Sequence, residues 1–153
     1  ANLTAVTSSG GELISLGDYL AIRVDQGGNT LAAFGWNGTN WSAIAVSANR
    51  TLLNQGWHHI AAVFDDDNNG FVLYVDGVQV AATAPANSLV YTGLGSATTI
   101  GQHGNGSNSF NFTGAIDDAR VYGRALTAEE ILLLLSAGSS SGGLRVLQWI
   151  EVK

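Results

Sequence analysis

Short apolar runs follow one another along residues 12 to 135, each closed by glycine, asparagine or aspartate. Glu12-Leu-Ile-Ser15, Asp18-Tyr-Leu-Ala-Ile-Arg-Val24 and Thr30-Leu-Ala-Ala-Phe34 are predicted strands, the last two separated by the turn Asp25-Gln-Gly-Gly-Asn29. Strands this closely spaced belong to all-β folds. Trp57-His-His-Ile-Ala-Ala-Val-Phe64 has apolar residues on both faces, which predicts a strand in the middle of a sheet; the polar run Asp65 to Gly70 ends it. Phe71-Val-Leu-Tyr-Val75 and Val78-Gln-Val-Ala-Ala82 form a hairpin around Asp76-Gly77, a pair that readily takes the positive φ of a two-residue turn.

A single stretch carries a helix signature. Thr127 and Glu130 make a capping box before Ile131-Leu-Leu-Leu-Leu135, predicting about two turns over 128–135. Ser136-Ala-Gly-Ser-Ser-Ser-Gly-Gly143 has the composition of a flexible tether, and a strand-like run, Leu144 to Lys153, follows it. The chain therefore divides into a body at 1–135, a tether at 136–143 and a terminal strand at 144–153.

The 153 residues amount to one domain. Charged residues make up 12%, against a usual share of about 25%, so solubility rests on Ser, Thr, Asn and Gly. A net charge of −6 leaves no electrostatic grip on nucleic acid or anionic lipid. With no cysteine there are no disulfides, thiolate nucleophiles or zinc-thiolate sites. The absence of methionine, a start at Ala1 and the scarcity of lysine suit a processed, extracellular or cell-surface protein. Ile131 to Leu135, the longest aliphatic run, falls far short of the roughly 20 residues a membrane helix needs, so membrane insertion is not expected.

Trp57-His58-His59-Ile60-Ala61, Leu73-Tyr74-Val75-Asp76-Gly77, Ile100-Gly101, Gly114-Ala-Ile-Asp-Asp-Ala-Arg-Val-Tyr122 and Arg124-Ala-Leu-Thr-Ala-Glu-Glu-Ile131 occur in an order that resembles the laminin-G-like, concanavalin-A-like lectin and glucanase sandwich domains. The resemblance covers about residues 10 to 135 and implies two antiparallel sheets in a jelly roll, with the short helix at one end. Such domains open with a strand ending in Trp-aliphatic-Xaa-Lys. That strand is missing ahead of Gly11, and its counterpart is Leu147-Gln-Trp-Ile-Glu-Val-Lys153. The sequence thus resembles a circular permutant, natural or engineered with a Gly-Ser linker.

A sandwich short of one strand leaves an open edge that something must fill. The tail can fold back onto its own body or enter the next copy. Eight tether residues span roughly 15 Å as a coil and at most about 28 Å extended, enough for either route. In the second route a head-to-tail contact repeats without closing and builds a filament. The side chains committed to that strand are Leu144, Val146, Trp149, Ile150 and Val152.

Catalysis finds little support. A retaining glycosidase needs two carboxyl groups about 5 to 5.5 Å apart, yet the glutamates Glu12, Glu129, Glu130 and Glu151 form no Glu-Xaa-Asp-Xaa-Xaa-Glu run. Asp117 and Asp118, adjacent on a strand, point to opposite faces. His58 and His59 read as structural for the same reason. For sugar recognition, Trp36 and Trp41 flank the polar loop Asn37-Gly-Thr-Asn40, offering a stacking plate beside short polar groups, and His103 sits in a glycine-rich loop. Trp36, Asn40, Trp41 and His103 are the candidate ligand contacts. The resemblance implies a rim calcium ion, with Asp118 as its carboxylate; the Asp65 to Asp67 cluster reads as solvated. Several sequons occur, including Asn37-Gly-Thr39, Asn49-Arg-Thr51 and Asn111-Phe-Thr113, and in so Asn-, Ser- and Thr-rich a chain most are expected to be chance matches.

The function expected is a non-enzymatic extracellular structural or adhesive module that assembles with other copies of itself through its C-terminal strand. The alternative is a monomeric carbohydrate-binding module with glycan partners.

Overall fold

The structure is a computed structural model describing residues 1–41, 46–68, 70–84, 89–90, 95, 97–139 and 147–150. Its strands, in chain order, are β1 (Asn2–Ala5), β2 (Gly11–Leu16), β3 (Leu20–Val24), β4 (Thr30–Gly35), β5 (Val46–Asn49), β6 (Ile60–Asp65), β7 (Gly70–Val75), β8 (Val78–Thr83), β9 (Thr98–Ile100), β10 (Thr113–Ala115), β11 (Ala119–Tyr122) and β12 (Leu147–Ile150). Among the described residues one α-helix, α1 (Ala128–Ser139), lies between β11 and β12, and a short 3-10 turn spans Asn108–Phe110. The chain is thus all-β with one short helix.

Five strands form an antiparallel sheet in the order β5-β4-β3-β2-β9. A second sheet of five runs β11-β12-β6-β7-β8, and β1 pairs with β10 in a small third one. Alternation directs Leu20, Ile22, Val24, Leu31 and Ala33 of the first sheet and Ile60, Ala62, Phe64, Phe71, Leu73 and Val75 of the second into a shared core. Phe64 and Phe71 meet edge to face there, with ring centroids 4.8 Å apart. On the opposite face of the second sheet, Ala61, Val63 and Tyr74 pack against Leu126 and Ile131 of the α1 region. β6 is therefore covered on both faces and lies mid-sheet, as its two-sided apolar pattern predicts.

Local chemistry explains the joints. Asp76 and Gly77 take φ of 52° and 76° between β7 and β8. Thr127 and Glu130 cap α1 reciprocally: the Thr127 N–H donates to Glu130 Oε2 at 2.9 Å, and the Glu130 N–H to Thr127 Oγ1 at 3.3 Å.

Four expectations are corrected. Asp18 does not start a strand; it forms a turn with Gly17, both at positive φ, and β3 begins at Leu20. Asn2 to Ala5, unassigned from sequence, is a strand, because burying Ala1 and Leu3 in the core draws it alongside β10. The helix continues through Ser139, so the first residues of the expected tether are helical; Ser136 Oγ donates back to the Leu133 carbonyl at 2.8 Å. The second sheet is not purely antiparallel: β12 runs parallel to both its neighbours.

Candidate functional site

Two places in the fold bring chemistry together. The first is a cleft on the outer face of the β5-β4-β3-β2-β9 sheet. Arg23 and Phe34 point outward from β3 and β4 because their neighbours Ile22, Val24, Leu31 and Ala33 take the core side. The segment from Gly101 to Phe112 folds over this face, anchored where the Gly101 N–H donates to the Leu13 carbonyl. Gly104 allows that close approach. A Cβ there would collide with Ser15 Oγ and stand 2.7 Å from the Asp18 backbone nitrogen. Asp18, Arg23, Phe34, Trp41, His103, Asn105 and Phe110 line a cleft of about 360 Å³. Through Arg23, Phe34 and Phe110 it adjoins a second depression of about 630 Å³ bordered by Ser8, Ser9, Asp25 and Thr30.

Beneath the cleft lies a charge cluster. Glu12 on β2 has no exposed surface, and Arg23 reaches its Oε1 at 3.4 Å. His103 Nδ1 stands 3.1 Å from Asp18 Oδ1 and 3.7 Å from Glu12 Oε2; these are charge contacts without hydrogen-bond alignment. The Arg23 guanidinium lies 3.6 Å above the Phe110 ring, a cation–π contact. Burial pushes the Glu12 carboxyl up to about 7 despite Arg23. Burial likewise raises Asp18 and lowers His103, each opposed by the other's charge. Glu12 Oε2, Ser15 Oγ, Asp18 Oδ1 and Arg23 Nε are all buried without a protein hydrogen-bond partner. Of these four residues only Asp18 and Arg23 border the cleft, and their orphaned atoms lie buried beneath it; the walls themselves combine the aromatic rings of Phe34, Trp41 and Phe110 with the polar side chains of Asp18, His103 and Asn105. Glu12 does not border the cleft, whereas Asp18 and His103 do.

Of the residues named from sequence, Trp41 and His103 meet in this cleft. Trp36 meets Trp41 in a tilted contact with centroids 5.9 Å apart and planes at 54°, and Asn40 sits exposed in the loop between them; neither Trp36 nor Asn40 lines the cleft. Glu12, Asp18, Arg23 and Phe110 were not anticipated. A glutamate inside the apolar run Glu12-Leu-Ile-Ser15 and an arginine inside Leu20-Ala-Ile-Arg-Val24 were the available signals. Asp118 holds Arg120 through both carboxylate oxygens, each at 2.9 Å, so a calcium ion there would compete with a guanidinium. Among the described residues no group of three or more His, Asp or Glu is arranged to hold a metal. His58 Nδ1 pairs with Asp76 Oδ2 at 2.8 Å. His59 is wholly buried, and desolvation pushes it down to about 4.

The second place is the slot between β6 and β11, occupied by β12. Leu147 pairs with Ile60 and Ala119, and Ile150 with Val63 and Tyr122. Strands with one strand between them lie roughly 9.5 Å apart, too far to hydrogen-bond each other. The slot therefore exists only as a place for a strand. Trp149 and Ile150 belong to β12, while Leu144, Val146 and Val152 lie outside the described residues.

A family profile described as the concanavalin A-like lectin/glucanases superfamily matches residues 1–132. No curated protein matches the chain. Among solved structures, an S-layer domain-containing protein (residues 221–444) from Clostridium thermocellum is 22% identical, with a TM-score of 0.41. The alignment covers 84% of this chain and 64% of that one, so the chain spans less than two thirds of that structure.

Proposed function

The chain belongs to the concanavalin A-like lectin/glucanases superfamily, and we propose that it is a non-enzymatic, extracellular structural or adhesive module whose copies assemble by donating the C-terminal strand. One observation carries this reading. β12 is parallel to both β6 and β11, whereas every other ladder among the described residues is antiparallel. Parallel pairing is slightly weaker per residue. A strand arriving from a neighbouring copy is free to enter the same slot in the opposite direction and make antiparallel ladders on both sides. In this structure the chain's own strand fills the slot, and its parallel fit there supports donation as the better pairing; each copy that gives a strand still needs one, so the chain grows without closing. In this reading the terminal strand replaces the family's opening strand, as in a permutant. The charge-poor surface supports an extracellular setting and offers little repulsion against edge pairing.

Particle mass at two protein concentrations, by light scattering, tests the proposal. Mass that rises with concentration supports donation; a constant 15.8 kDa species refutes it.

The cleft that brings Phe34, Trp41 and Phe110 beside Asp18, His103 and Asn105 favours a second reading, a monomeric carbohydrate-binding module. Calorimetric screening of soluble glycans would then find binding that Trp41→Ala abolishes.

A further inference from the structure

We propose that Asn37 and Asn105 are N-glycan acceptor sites. The sequence holds Asn-Xaa-Ser/Thr at Asn2, Asn37, Asn40, Asn49, Asn105 and Asn111, six sequons. With 12 asparagines and 24 serines and threonines in 153 residues, composition alone accounts for about two, so chance does not cover most of them, against the expectation stated above. The fold separates the six. Asn2 and Asn49 lie in paired strands, Asn40 precedes a tryptophan packed against Trp36, and Asn111 leads into β10.

Asn37-Gly-Thr39 and Asn105-Gly-Ser107 lie wholly in loops, and they share one local geometry. Asn37 Oδ1 accepts the Thr39 N–H at 2.9 Å, and Asn105 Oδ1 accepts the Ser107 N–H at 2.8 Å. This Asx turn engages the amide oxygen and brings the hydroxyl residue beside the asparagine. Neither Nδ2 has a hydrogen-bond partner among the described residues; Asn105 is exposed and Asn37 half-buried.

The reaction requires a glycan carried on a lipid pyrophosphate. Nδ2 attacks the anomeric carbon and the N–C bond forms. The C–O bond to the pyrophosphate breaks, its electron pair leaving with the lipid pyrophosphate, and the amide loses one proton to a base of the transferase. The product suits this surface, because glycans supply the solvation that 12% charged residues do not. All six sequons also lie outside β6, β7, β8, β11 and α1, so the sheet with the strand slot stays bare.

The inference rests on the extracellular location proposed above, not on strand donation. The test is intact mass and peptide mapping of the chain isolated from the cells that make it. A mass above 15.8 kDa by whole saccharide units, mapped to Asn37 and Asn105, is expected. In a host that glycosylates secreted proteins, Thr39→Ala and Ser107→Ala should each remove one glycan while retaining the Asx N–H. Ser107→Thr should keep its glycan, which separates loss of the sequon from misfolding. Unmodified peptides at both positions overturn the proposal even if the protein forms chains. A glycosylated protein that stays monomeric leaves it intact and overturns donation alone.

Discussion

Ending the chain at Gly138 removes β12 and empties the slot between β6 and β11. β12 has four residues paired on both sides. Each contributes a backbone donor and acceptor, so up to about eight hydrogen bonds are lost at roughly 0.5–1 kcal/mol net each, or about 4–8 kcal/mol. A domain of this kind has a total stability of about 5–15 kcal/mol. The truncated chain should therefore be at the edge of unfolding, with the open sides of a mid-sheet strand exposed to other copies. Thermal melting by circular dichroism and size-exclusion chromatography report the two effects. A Tm lower by ten degrees or more, together with aggregation, is expected. A synthetic peptide of residues 144–153 should restore both the Tm and a monomeric elution. Truncated protein that stays soluble, monomeric and as heat-stable as the full chain would show that nothing depends on the slot being filled.

Three further outcomes follow from named contacts. Glu12 is pushed up to about 7, so it favours the folded state while protonated, and its contribution fades as pH rises from its ordinary 4.5 through 7. His59, pushed down to about 4, favours the folded state while neutral and loses its contribution as pH falls from 6.5 towards 4. Glu12→Gln should flatten the loss on the alkaline side and leave the acid side unchanged in melts between pH 4 and 8. Gly77→Ala would place a methyl group 2.5 Å from Leu132 Cδ2 at a φ of 76°, and should cost about 1–2 kcal/mol in a denaturant titration. A rim calcium at Asp118 should raise Tm in calcium relative to chelator, a difference that Asp118→Ala erases; equal melts would eliminate that ion.

Where a few neighbouring residues decide the outcome, the chain could be read directly. The Asp76-Gly77 hairpin needs only a residue pair that tolerates positive φ, and the α1 cap only Thr127 and Glu130 at the right spacing. The charge cluster was hidden because Glu12 becomes buried only when Gly101 to Phe112, some ninety residues later, folds across it. The direction of β12 was hidden for a different reason. A period of two reads the same forwards and backwards, so alternation marks Leu144 to Lys153 as a strand without saying which way it runs.

The place of β12 also sets a timetable. Its partners on β6 lie nearly ninety residues upstream, so every other strand is made before the middle of this sheet can be filled. Contacts of such long separation form slowly. Each newly made chain passes through an interval in which its core is assembled and its central groove is vacant. If copies donate strands as proposed, a neighbour's tail competes with the chain's own during that interval, and the outcome then depends on how quickly chains are delivered as well as on which state is more stable.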